Sequence, residues 1–121
     1  IPYVNSPLSI RRTFIKSNRD TVLRVLRAYQ ESVEEIRNDK NAALKILARY
    51  VRVDDPAILN EVYKIYGERH LPKTIKVDLE GVKGLLKGLG SEAGGANPAN
   101  FVDGSLVQEI ENEGFFRQKS R

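Results

Sequence analysis

The sequence predicts a mainly helical chain of about five helices with little strand. Three observations lead there. Apolar residues recur three and four apart over several stretches, which is the period of one helix face. Most of those stretches open on a residue able to cap a helix N-terminus, namely Asp39, Asp55 before Pro56, and Asp78. Strand-forming residues gather in two short segments, 1–10 and 70–77, and both carry proline, which fits poorly in a central strand.

Taken in order, residues 1–16 read as an extended lead-in or hinge segment. Residues 8–12 read as a short strand or an extended entry, followed by a helical turn near Thr13–Lys16. Ser17–Asn18 offers an N-cap, with Asp20 in the first turn. Val22, Leu26, Tyr29, Val33 and Ile36 then form one apolar face of a helix ending near Arg37–Asn38. Asp39 caps a second helix whose apolar face is Ala43, Leu44, Leu47, Tyr50 and Val51. Asp55-Pro56 is preorganised to start a third, because proline lacks only an N–H that the first turn leaves unpaired. Its stripe is Ile58, Leu59, Val62, Ile65 and Tyr66, and Gly67 weakens its end. The segment 70–77 crosses in extended form to a fourth helix, capped by Asp78 and carrying Leu79, Val82, Leu85, Leu86 and Leu89. Residues 90–98 read as a loop, with one helical turn starting at Asn97-Pro98. Ser105 to Gln108 matches a capping box, and Gly114 suits the position just past that helix's end. The expected organisation is thus 1–16 lead-in, 17–116 helical region, and 117–121 frayed tail.

Composition narrows the class. At 121 residues the chain is sized for one core. With 40% hydrophobic and 30% charged residues it suits a globular domain and not a disordered one. No stretch approaches the ~18 apolar residues of a membrane span. Cysteine is absent, which removes disulfides, thiolate zinc sites and cysteine nucleophiles. The first residue is Ile1, methionine is absent, and no basic-then-apolar leader is visible, so the chain is expected to be a piece of a larger protein. The net charge is +4, unevenly spread. Residues 1–52 hold eleven Lys/Arg against five Asp/Glu, and residues 53–121 hold nine against eleven.

Residues with chemical potential have simpler structural readings. His70, the single histidine, suits a helix C-terminus. Asp54 and Asp55 read as a capping pair, and Glu109, Glu111 and Glu113 scatter around a helix instead of focusing on a metal. The glycines between Gly84 and Gly95 lack the Gly-Lys-Ser/Thr ending of a phosphate loop. Lys45, Arg49 and Arg52 share a helix face able to touch phosphates, but without interleaved aromatics for base stacking it reads as a solvated face. Arg11 and Arg12 follow the lead-in and could reach an anion at a cleft edge. No nucleophile–base pair or metal cluster is legible, so no enzyme activity, cofactor or metal is expected.

Several segments together resemble one family. From Ile10 to Tyr29 the chain contains Phe14-Ile-Lys-Ser-Asn-Arg-Asp-Thr-Val22 and Leu26-Arg-Ala-Tyr29. Next come Asn41-Ala-Ala-Leu-Lys-Ile-Leu-Ala-Arg-Tyr50, Val53-Asp-Asp-Pro56, Leu71-Pro72 and Leu79-Glu-Gly-Val82. Ala96-Asn-Pro-Ala-Asn-Phe-Val-Asp103 and the run from Leu106 to Phe115 close the series. In order and spacing these are similar to the C-terminal third of nitrate/sulfonate/taurine-type solute-binding proteins of ABC importers, including thiamine-pyrimidine-precursor-like members. The likeness covers roughly residues 8–116. The family usually has Asp-Pro where this chain has Asn97-Pro98.

The resemblance implies a two-lobed α/β fold that closes on a small molecule, such as a small anion, sulfonate or pyrimidine. It implies a permease partner, a periplasmic or extracytoplasmic location peripheral to the membrane, with or without a lipid anchor, and no nucleic acid. Residues 5–12 would face the cleft, which makes Ser6, Ser9 and Arg11 the ligand-binding candidates. A third of such a protein should expose apolar faces and self-associate. Two other classes stay open on the residues alone. One is a stand-alone helical domain docking a partner helix, and the other is a weakly basic helical module binding nucleic acid.

Overall fold

The structure, a computed structural model, describes residues 7–117. It is mainly helical, with no strand among the described residues. Seven α-helices run in order: α1 (Arg12–Ser17), α2 (Arg19–Asn38), α3 (Lys40–Val51), α4 (Pro56–Val62), α5 (Leu79–Gly88), α6 (Ser91–Gly94) and α7 (Ser105–Asn112). A π-helical stretch, Tyr63–His70, continues α4, and 3-10 turns occupy Pro98–Phe101 and Phe115–Arg117.

The chain divides into two units. One joins residues 7–25 with 76–117, and the other is 26–75.

In the 26–75 unit each helix starts and stops for a local reason. Asp39 accepts the Ala42 N–H at 2.9 Å, and Asp55 accepts the Ala57 N–H at 2.8 Å with Pro56 at the first helical position. Arg52 ends α3 in a left-handed conformation, φ 55°, a position where glycine is favoured.

The buried side chains here include Leu26, Val33, Ala43, Leu59 and Tyr63, together with Gln30, which is only 1% exposed. Gln30 donates to Glu34 Oε1 at 3.0 Å and to the Lys73 carbonyl at 3.2 Å. Its own carbonyl accepts the Ile75 N–H at 3.1 Å. Arg37 donates to the Leu71 carbonyl at 3.0 Å. The irregular segment after His70 is therefore fastened to α2 through its backbone. Its peptide groups find side-chain partners in place of a strand neighbour.

The π-helical stretch changes which residues face inward. A straight α-helix would bury Ile58, Leu59, Val62, Ile65 and Tyr66. Instead Leu59, Tyr63 and Gly67 are buried, while Ile58 and Tyr66 are exposed. That set is spaced by four, which suits a helix wound more loosely than 3.6 residues per turn. Gly67 lies inside the helical stretch, near its end, and is buried. A β-carbon there would stand 3.0 Å from two ring carbons of Tyr63. The Tyr63 hydroxyl donates to the Ile36 carbonyl at 2.7 Å, and the Lys40 ammonium sits 5.3 Å from its ring centre. Gly67 leaves room for a ring that is held from two other sides.

In the other unit, Pro7–Arg11 has no regular structure and α1 begins at Arg12, inside the expected lead-in. Of the two readings of 8–12, the strand does not form, and Arg11 is extended as the entry reading has it. The described backbone there has no neighbouring strand to pair with, and Arg12 already belongs to a helix. Asn18 ends α1 and donates from its side chain back to the Phe14 carbonyl at 3.3 Å. Arg19 and Glu109 form a paired, two-pronged ion bridge between α2 and α7. Val22, Leu23, Leu86, Leu106 and Ile110 are buried. Asp78 and Asn97 cap the helical turns that follow them. Gly114, with φ 78°, closes α7 as expected, its N–H reaching the Glu111 carbonyl at 2.9 Å. The capping box at Ser105 does not form. Ser105 is the first helical residue, and Asp103 accepts its backbone N–H at 3.0 Å.

Replacing Gln30 by alanine strands the Ile75 N–H and opens a cavity. The expected loss is about 2–4 kcal/mol by urea denaturation. A loss under about 1 kcal/mol would mean that the clamp carries little of the fold. Gly67→Ala gains helix propensity but forces the Tyr63 ring to move, with a net loss of roughly 1–3 kcal/mol. That loss should shrink in a Tyr63→Leu background, which a double-mutant cycle measures.

Candidate functional site

The ligand-binding candidates from sequence fall as follows. Ser6 lies outside the described residues. Ser9 and Arg11 are exposed on the irregular segment before α1. Among the described residues neither side chain forms a hydrogen bond or ion pair, and nothing brings the two to a shared cavity. Arg11 supplies its backbone carbonyl to the Ile15 N–H at 3.1 Å, so its structural part is to open α1. Its neighbour Arg12 is engaged instead, donating to the Asn100 carbonyl.

A recess with polar groups around it lies in the unit containing α5 and α7. Lys76 and Val77 precede α5, Val102, Asp103 and Gly104 lead into α7, and Val107 and Gln108 lie on α7. Its volume is about 170 Å³, below the ~300–1,000 Å³ of typical small-molecule pockets.

The polar groups of this recess are already committed. Asp103 accepts from the Ser105 hydroxyl at 2.6 Å and from its backbone N–H. Those two bonds, with the Arg12 guanidinium nearby, hold the Asp103 carboxyl below its ordinary range against a small opposing effect of burial. A carboxylate so stabilised is a weak base, so it does not activate Ser105 as a nucleophile. Lys76 pairs with Glu111 at 2.7 Å. Gln108 donates to Glu111 at 3.0 Å and to Asn112 at 2.9 Å. The arrangement fixes the start of α7 and ties it to the segment before α5. Sequence reasoning placed the cap two residues late, at Ser105; the Asp-x-Ser spacing was the available signal, since an aspartate readily accepts from the N–H two residues on.

The other residues with chemical potential are likewise accounted for. His70 is the exposed last residue of the π-helical stretch, with its ring 6.1 Å from that of Tyr66. Asp55 caps α4. Glu109 holds Arg19, which keeps the guanidinium protonated to still higher pH than usual. Among the described residues no three His, Asp or Glu side chains converge as metal ligands, and no helix is long and apolar enough to cross a membrane.

No family model, curated protein or solved structure matches this chain.

The Asp103 cap makes a pH-dependent contribution. Its folded-state pKa lies below the ordinary 3.8, so the stabilisation is present above that value and disappears as pH falls through the folded pKa. Asp103→Ala should cost about 1 kcal/mol at neutral pH. The difference between wild type and variant should shrink as pH falls through the folded-state pKa, and urea curves at neutral and acid pH check it. Ser105→Ala should raise the Asp103 pKa, read from its carboxyl carbon by NMR titration.

Proposed function

We propose that the chain is the C-terminal part of an extracytoplasmic solute-binding protein of an ABC importer, handling a small anion, sulfonate or pyrimidine-like solute. On this reading it carries out no covalent chemistry and is peripheral to the membrane. Solute capture closes two lobes, and a permease reads the closed form.

The observation that carries the proposal is the bare apolar face of α5. Leu85, Gly88 and Leu89 lie on one side of that helix, three and four residues apart. Leu89 is 74% exposed, and Phe101, on the 3-10 turn that packs against α5, is 63% exposed. A β-carbon at Gly88 would meet nothing within 4 Å. A formed helix with large apolar residues turned to water is a surface made for a further layer of protein. The solute-binding reading supplies that layer in its preceding lobes. The family-like segments also fall in register with the elements. Asn41–Tyr50 lies within α3, Pro56 opens α4, Leu71-Pro72 lies in the link, and Leu106 begins the buried side of α7. Polar groups engaged in caps and pairs suit a binding subunit, whose solute contacts would come chiefly from upstream sequence.

Two measurements test this. The 121-residue chain should self-associate in light scattering and bind an apolar dye, and Leu85→Lys with Leu89→Lys should return it to monomer. A dye-silent wild-type monomer would remove the argument from α5. The chain joined to its upstream sequence should then be stabilised by several degrees by one of nitrate, a sulfonate or a pyrimidine in a thermal-shift panel. Failure of every such solute would overturn the transport reading.

A further inference from the structure

The outer side of α3 carries a second uncovered surface of different chemistry. Lys45 and Arg49 lie one turn apart on α3, Arg52 is the residue that ends it, and all three are exposed. Beside that row stand Ile46 and Tyr50, one turn apart, 55% and 80% exposed. Residues 40–53 contain no acidic residue at all. The acids at the ends of this stretch do little to neutralise it. Asp39 and Asp55 are occupied as caps, which leaves Asp54 as the adjacent exposed carboxylate. Lys40 belongs to the other side of the helix, over the Tyr63 ring.

One detail sets this row apart from an ordinary solvated face. Arg52 is the single non-glycine residue with positive φ among the described residues. A side chain there costs stability that glycine would not. A cation thus stands at a position where the backbone favours glycine, at the end of the helix that carries Lys45 and Arg49.

We infer that this side of α3 docks on a bilayer surface carrying anionic headgroups. Lys45, Arg49 and Arg52 would meet headgroup phosphates, with Ile46 and Tyr50 seated at the headgroup–acyl boundary. The positive charge selects an anionic occupant. The exposed aliphatic and phenolic side chains in the next row favour an interface over a duplex, because Ile46 has no face for a base to stack on while tyrosine suits the interfacial layer. This inference stands apart from the solute-binding proposal: it uses a different helix and a different readout.

Co-sedimentation of the 121-residue chain with vesicles tests it. Binding is expected to vesicles of phosphatidylcholine mixed with phosphatidylglycerol, weakening with salt, and not to phosphatidylcholine alone. Lys45→Gln with Arg49→Gln should weaken binding about 30-fold, at roughly a fivefold loss per cation. Ile46→Ser with Tyr50→Ser should weaken it roughly tenfold or more. Lys16→Gln with Lys87→Gln removes the same net charge from exposed positions elsewhere and should leave binding near wild type. Arg52→Gly is the sharpest variant: it should melt higher than wild type yet bind vesicles about fivefold more weakly. Circular dichroism confirms that each variant folds. Three results would overturn the inference: no anionic-vesicle binding, equal loss in the Lys16/Lys87 control, or binding to a short DNA duplex in preference to vesicles.

Discussion

The carboxamide of Gln30 is the constraint on which the 26–75 unit depends. It is buried, and its three hydrogen bonds use donor and acceptor together. Two of them go to the backbone of a segment without regular structure. Without them the Ile75 N–H and the Lys73 carbonyl would need other partners, and buried peptide groups without partners are costly. An apolar side chain at position 30 would fill the same space but could not choose which residue of the segment lies opposite. Gln30 therefore sets register as well as stability. Arg37 repeats the device nearer the helix end, through the Leu71 carbonyl.

The same helix end anchors the π-helical stretch. Ile36 lies in the last turn of α2, where carbonyls lack intrahelical partners. The Tyr63 hydroxyl supplies one. Once that bond fixes the ring, the chain must pass beneath it, and Gly67 gives the clearance. Loose winding and the glycine thus share one cause, a tyrosine held at both its hydroxyl and its ring.

This explains what could be read in the sequence and what could not. Caps made by a residue on its own next turn were legible, as at Asp39, Asp55, Asp78 and Asn97, because their physics is local. Gln30 was hidden, since glutamine on an apolar stripe reads as a break until its distant partners are known. Tyr63 and Gly67 were missed because the expected face assumed 3.6 residues per turn. Tyr50 and Tyr66 fell on predicted apolar faces yet are largely exposed, because periodicity marks a face as apolar without saying what covers it. Ser9 rested on the resemblance and Arg11 on that and its place after the lead-in, and both are exposed on the segment before α1.

The division between satisfied polar groups and bare apolar ones bears on function. Lys76 and Arg19 each pair with a carboxylate on α7, and Asp55 and Asp103 accept from the backbone two residues on, where a helix starts. Polar chemistry in these places is consumed by structure. What remains open is surface: the Leu85–Leu89 side of α5, purely apolar, and the outer side of α3, where cations adjoin apolar residues. The two cannot suit the same occupant. An apolar helix side with a glycine flush to its surface favours close approach of another protein layer, whereas a row of cations would be desolvated there at high cost. Cations keep their favourable hydration beside a headgroup layer and gain its field. On the two readings proposed, the α5 side suits burial against a further protein layer, and the α3 side suits a contact that salt can reverse.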